Sequence, residues 1–217
     1  MKILELFCGT KSISNAFTKQ GFSCVTLDHD KQFSPDILVD IMEWEYDDWD
    51  RGQFNVIWAS PPCDTFSVAS IGTHWHKDSD GTIKPQTEKA IRGISMVVRT
   101  MEIIRYLKPR FWFIENPRGM LRKMPIFHGQ FDGARETVTY CQYGDTRMKP
   151  TDIWGIFPKE FPIMACKNGS PCHLPAPRGS KAGTQGLKDA VEKGRIPDFF
   201  CYLLAKHIGD EIKSKSK

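Results

Sequence analysis

The sequence predicts an α/β fold built on a doubly wound, mostly parallel sheet, with a minimal Pro-rich appendage. Short apolar segments alternate with segments of helical periodicity, and each apolar segment ends in a polar, Gly- or Pro-containing turn. Most residues able to do chemistry stand at those carboxyl ends, where open α/β sheets bind ligands.

The first strand is expected over Lys2 to Phe7, followed by Cys8-Gly9-Thr10 and a helix with Ile13, Ala16 and Phe17 on one face. Gly21 closes that helix, and Ser23 to Leu27 forms a second strand that runs into Asp28-His29-Asp30. Ile37 to Val39 ends at Asp40, and Asn55 to Ala59 ends at Ser60-Pro61-Pro62-Cys63. The longest helix is expected over Thr87 to Leu107, with Ile91, Ile94, Val97, Val98, Met101 and Ile104 on its apolar face and Pro109 as its stop. Phe111 to Ile114 forms a buried strand that stops at Glu115-Asn116-Pro117, and further strands are expected at Glu136 to Cys141 and Asp152 to Phe157. A last helix from about Pro197 to Ile212 presents Phe200, Leu203, Leu204 and Ile208 to the sheet. Three units follow: a catalytic and ligand-binding domain over 1–157, an irregular segment over 158–188 that holds five prolines, and a C-terminal helical part over 189–217.

Composition narrows the class. With 40% hydrophobic residues over 217 positions the chain buries a full core. No apolar run reaches the roughly 20 residues of a membrane helix, and no secretory signal opens the chain, so a cytoplasmic location is expected, the host cytoplasm for a viral protein. Seven cysteines, an odd number, argue for reduced thiols over a disulfide framework. The formal charge of +4 permits a nucleic-acid partner without requiring one.

Three residues stand out on chemistry. Asp28, at the end of the second strand, is placed to accept hydrogen bonds from vicinal ribose hydroxyls, or is a solvated turn acid. Cys63 follows two prolines at a strand end, where the backbone is stiff and burial is not expected, which separates it from an inert core thiol. Glu115 ends a neighbouring strand, as a proton donor or as a partner of Arg118 or Arg110.

In this order the motifs resemble the DNA cytosine-5 methyltransferase family along nearly the whole chain. Glu5-Leu6-Phe7-Cys8-Gly9-Thr10 is similar to the family's cofactor motif, Pro62-Cys63-Asp64-Thr65-Phe66-Ser67 to its nucleophile loop, and Glu115-Asn116-Pro117 to its Glu-Asn-Val motif. Tyr143-Gly144 resembles the opening of the next motif, and Ile196-Pro197 with the last helix the closing one. The resemblance implies a class I, Rossmann-like fold and S-adenosylmethionine as cofactor, met by Phe7, Cys8, Gly9, Thr10, Asp28, His29, Asp40 and Ser60. It implies Cys63 as covalent nucleophile with Pro62, Glu115 and Asn116 in the catalytic set, and Ser67, Arg147 and Lys149 on the substrate. The partner implied is DNA, with no membrane and no indicated second subunit.

Carbon 5 of cytosine is a poor nucleophile, and a thiolate adding to carbon 6 converts the ring into an enamine that attacks an electrophilic methyl. A base inside a duplex has to be flipped out first, and 66–85, with His74, Trp75, His76 and Lys77, is read as a long polar loop that either closes over it or is a passive surface loop.

The sequence departs from the family in three places. The cofactor motif lacks the later glycines, Arg147-Met148-Lys149 replaces a Gln-x-Arg-x-Arg stretch, and the large target-recognition domain is missing. This compact pattern looks most like the short methyltransferases of bacteriophages. It implies a short or relaxed target of about two to four base pairs. Arg178, Lys181 and Lys188 are either phosphate contacts or ordinary solvated surface.

Cys166, Cys172 and His173 offer three zinc ligands with a fourth from elsewhere, but their spacing is not that of paired knuckles, so they are taken as loop residues and no metal is assigned. The alternatives are an exocyclic amino-methyltransferase, for which Ser60-Pro61-Pro62 fits but Cys63 replaces the required aromatic, and a non-catalytic nucleotide-binding protein of the same fold. A related pyrimidine-modifying enzyme acting on a modified base, a free nucleotide or a variant cofactor is the third.

Overall fold

The computed structural model describes residues 1–127, 132–175 and 189–215. Its centre is a seven-stranded sheet of order β3-β2-β1-β4-β7-β9-β8. The strands are β1 (Lys2–Leu6), β2 (Ser23–Asp28), β3 (Ile37–Leu38), β4 (Val56–Ala59), β7 (Phe111–Pro117), β8 (Ala134–Thr139) and β9 (Pro150–Gly155). From β3 to β7 every pairing is parallel, while β9 runs antiparallel between β7 and β8.

Alternation along the strands sends side chains to two cores. Leu4, Leu6, Ile57 and Ile114 meet Val97, Met101 and Ile104 of α3 (Glu88–Leu107) on one face. Ile3, Val56, Trp58 and Phe113 meet α1 (Ser12–Lys19) and α5 (Asp198–Ser214) on the other. The order reverses between β1 and β4, which opens a crevice beyond their carboxyl ends.

Three expectations change at the level of packing. Ile91 and Val98 do not belong to the buried face of α3, being 53% and 38% exposed. Each stands one residue, about 100°, beyond the buried Ala90 and Val97 and so lies on the flank. Glu115-Asn116-Pro117 does not end β7 but continues it: pairing with β4 stops at Ile114, whereas pairing with β9 runs to Pro117. The stretch 66–85 is mostly exposed but not irregular. It holds α2 (Ile71–His74) and an antiparallel hairpin of β5 (Trp75–Lys77) and β6 (Ile83–Pro85). Trp75 is buried, with its indole N–H donating to the Thr65 carbonyl at 2.7 Å and its ring centroid 5.7 Å from that of Phe66.

The described part of the irregular segment, 158–175, is pinned to the sheet end. Phe161 is buried, the Tyr143 hydroxyl donates to the Pro162 carbonyl at 2.7 Å, and the Met164 carbonyl accepts from the Thr139 N–H at 3.1 Å. A short helix, α4 (Ala190–Gly194), capped by Asp189, leads to α5. Among the described residues no helix is long and apolar enough to cross a membrane.

Candidate active site

The turn after β1 starts with Phe7 at φ 55, a conformation in which bulky side chains are genuine outliers and which costs about 1–3 kcal/mol. The turn is held by the Cys8 N–H donating to the Leu27 carbonyl at 3.0 Å and the Lys11 N–H to the Cys8 carbonyl at 2.7 Å. Gly9 follows at φ 45 with open space where a Cβ would stand, so backbone faces the crevice there. Asp28 is buried at the end of β2. One carboxylate oxygen accepts from the Gly9 N–H at 2.9 Å, the other from the Asp30 N–H at 3.0 Å, with His29 Nδ1 3.3 Å away.

These residues line a cavity of about 370 Å³ whose opposite wall carries Cys63, Glu115 and Lys149. A second cavity of about 330 Å³ shares Phe7, His29 and Pro62 with it and is lined also by Asp40. Asp40 is ion-paired with Arg92 and accepts from the Met42 N–H at 3.0 Å. Ser60 lines the first cavity while its hydroxyl accepts from the Trp58 indole at 2.8 Å. Thr10 lines it too, with its hydroxyl 2.9 Å from that of Ser12.

The loop bearing Cys63 is fixed from both ends. The Cys63 carbonyl accepts from the N–H groups of Phe66 and Ser67, both at 3.0 Å, and the Asn116 amide donates to the Pro61 carbonyl at 3.0 Å. Because β7 has lost its neighbour β4 at this point, its edge is free to receive that loop. Gly119 completes the fit: a Cβ there would stand 2.1 Å from the Phe66 carbonyl oxygen, so only glycine permits this approach. Asn116 therefore ties the end of β7 to the loop that bears Cys63.

Burial pushes the Cys63 thiol up, the Lys149 ammonium opposes that, and Glu115 and Asp64 add to it. The Tyr140 hydroxyl donates to Glu115 Oε1 at 3.1 Å, and Lys149 Nζ lies 4.7 Å from the centroid of the Tyr140 ring. Tyr140 was not among the expected site residues. Glu5, quoted only as part of a motif, also lines the cavity: it accepts from the Ser14 N–H at 2.9 Å and bonds the Ser14 hydroxyl, and burial raises its carboxyl to about 7. Burial, with Glu5 and Asp28 nearby, pushes the Cys8 thiol up to about 12 and leaves it protonated.

Two expected substrate contacts stand elsewhere. Arg147 is buried outside both cavities and bidentate on Asp145, and it also donates to the carbonyls of Glu192, Lys193 and Arg195, closing the end of α4. It is a structural clamp, not a free phosphate ligand. The Ser67 hydroxyl lies 3.0 Å from that of Ser70 and lines neither cavity. Arg178, Lys181 and Lys188 lie outside the described residues.

A cavity at the switch point of a parallel sheet, with a thiol and a carboxyl on one wall and a buried acid on the other, narrows the choice to few enzyme classes. The C-5 cytosine-specific DNA methylase model matches residues 1–126. The chain belongs to that family. A Frog virus 3 (isolate Goorha) protein described as a "Probable DNA (cytosine-5)-methyltransferase" is 37% identical over 172 residues, 73% of this chain and 74% of that one.

Among solved structures, a prophage-encoded DNA modification methyltransferase (E. coli) aligns at TM-score 0.50 and 15% identity over 71% of this chain. The Entamoeba histolytica methyltransferase EhMeth aligns at 0.53 and 14% over 77%. This chain spans 46% and 57% of those two, and the likeness shows a shared fold, the class I methyltransferase architecture. The family model and the viral relative, not these folds, make the chain a DNA (cytosine-5-)-methyltransferase. The amino-methyltransferase and non-catalytic readings are not favoured.

Proposed function

We propose that S-adenosylmethionine is the methyl donor, that Cys63 is the covalent nucleophile, and that Glu115 engages ring nitrogen 3 of a flipped cytosine. The observation that carries this reading is that Asp28, Cys63 and Glu115 line one cavity. The residues fit the donor: Asp28 is an acceptor for vicinal hydroxyls, Phe7 and His29 line both cavities, and Asp40 lines the second. When bound, S-adenosylmethionine supplies an electrophilic methyl.

Cys63, as thiolate, forms a bond from sulfur to carbon 6 of the base, and the ring's electron pair shifts toward carbon 5. Glu115 favours that shift by donating a proton or hydrogen bond to nitrogen 3, and Tyr140 holds the carboxyl in place. Once carbon 5 carries the methyl, its proton passes to solvent water, any proton lent to nitrogen 3 returns to Glu115, and breaking of the carbon–sulfur bond returns the Cys63 thiolate and restores the aromatic ring. Lys149 stabilises the thiolate electrostatically at both ends of the cycle. Residues 158–188 stand in place of a target-recognition domain, which favours a short target. The test is to incubate the protein with methyl-labelled S-adenosylmethionine and duplex DNA, digest to nucleosides and identify the labelled one. The expected product is 5-methylcytidine's deoxy form; label on an exocyclic nitrogen, or on free nucleotide only, would contradict the reading.

A further inference from the structure

Cys141, Cys166, Cys172 and His173 come together although they are scattered along the chain, and one ligand atom from each lies within 4.8 Å of all the others. None of them lines either cavity of the active site. The Cys172 and Cys141 sulfurs are 3.7 Å apart, and His173 Nδ1 is 3.6 Å from the sulfurs of both Cys166 and Cys172. Zinc bonds of about 2.3 Å to sulfur and about 2.0–2.1 Å to nitrogen place neighbouring atoms of a tetrahedron about 3.5–3.8 Å apart. The Cys141–Cys166 sulfur separation is 3.1 Å. That is far beyond the about 2.05 Å of a disulfide.

We propose that these four side chains form a structural Cys₃His site for Zn²⁺. Three thiols and an imidazole match the ion's preference, and four protein ligands close the tetrahedron, leaving no open position for catalysis. Binding displaces the three thiol protons to solvent, so the site carries one net negative charge when filled. Its surroundings are those of a built site. His173 is buried at 8% exposure, the Gln142 amide donates to the Cys172 sulfur at 3.1 Å, and the Cys166 N–H donates to the Thr139 hydroxyl at 2.8 Å.

The consequence is mechanical. Cys141 lies in the 3₁₀ turn Tyr140–Tyr143, directly after the tyrosine that holds Glu115, while the other three ligands lie in the irregular segment after β9. The ion clips that segment, already anchored by the buried Phe161, to the turn beside the catalytic carboxyl. The chain spacing hid this, because the fourth ligand comes from the far side of β9.

The test is elemental analysis of protein purified under reducing conditions from zinc-supplemented cells, together with Co²⁺ titration of the metal-stripped wild type. The expected result is about one zinc per chain and a cobalt spectrum with tetrahedral d–d bands and thiolate charge transfer. Cys172→Ser and His173→Ala should lose most of the zinc, and Cys24→Ser should keep it. Should the ligand variants fail to fold, the wild-type cobalt titration still decides. Negligible zinc together with no tetrahedral cobalt spectrum overturns the proposal, as does a metal-free protein carrying a Cys141–Cys166 disulfide.

Discussion

Tyr140 donates its phenolic hydrogen to Oε1 of Glu115 across 3.1 Å inside the core, so the carboxyl at the end of β7 is aimed by a residue from the turn after β8. Leaving a buried hydrogen-bonding group without its partner costs about 1–3 kcal/mol. Tyr140→Phe should therefore lower kcat about tenfold or more while donor affinity stays within about twofold, because the ring and its packing remain. Steady-state kinetics beside calorimetric titration with S-adenosylmethionine separates the two; equal loss in both would mean that Tyr140 merely supports the fold.

Lys149 opposes the burial that raises the Cys63 thiol. Lys149→Met should push that thiol further up, and below its pKa each unit of rise costs a tenfold loss of thiolate. Alkylation of Cys63 by iodoacetamide, followed by peptide mass mapping across pH, should be slower in the variant near neutral pH and converge with wild type at high pH. Superimposable profiles would remove Lys149 from the thiolate's stabilisation.

Asp28→Ala should weaken S-adenosylmethionine binding by about 1–3 kcal/mol, the scale for losing a charged acceptor. Calorimetric titration measures this. Unchanged affinity would place the ribose acceptor elsewhere, Asp30 being the next candidate.

Glu5 sets a pH dependence of stability. Its folded carboxyl titrates near 7 against an ordinary value of 4.5, so between those values the folded state holds a proton that the unfolded state has released. Stability on this account falls as pH rises from about 4.5 to about 7, by about 3 kcal/mol in all, and is flat above. Glu5→Gln should remove that slope in urea unfolding series taken across the window. A slope identical to wild type would show that other groups carry it.

Much of the sheet and of the cavity lining was legible because strand ends are marked by composition: Cys63 after two prolines, Glu115 after an aromatic run, Asp28 after an apolar strand. Those are local signals. Trp75 was misread because polar neighbours surround it, whereas its indole reaches back ten residues to Thr65. Arg147 resembled a substrate ligand because the carbonyls of Glu192, Lys193 and Arg195 are joined to it only by the fold, although Asp145 stands just two residues before it. Tyr140 gave no signal, since the carboxyl it serves lies 25 residues earlier on a strand it never pairs with. In each case the information resides in contacts between elements, which periodicity does not encode.

The covalent role of Cys63 is the centre of the account, and trapping on DNA that carries 5-fluorocytosine tests it most directly. Fluorine at carbon 5 cannot leave as a proton does, so the thiol adduct should persist. With S-adenosylmethionine present, the wild type should give a denaturant-stable protein–DNA complex whose mass spectrum assigns the link to Cys63, and Cys63→Ser should give none and show no turnover. A wild type that methylates ordinary DNA yet forms no adduct, or a Cys63→Ser protein with full activity, would contradict the mechanism.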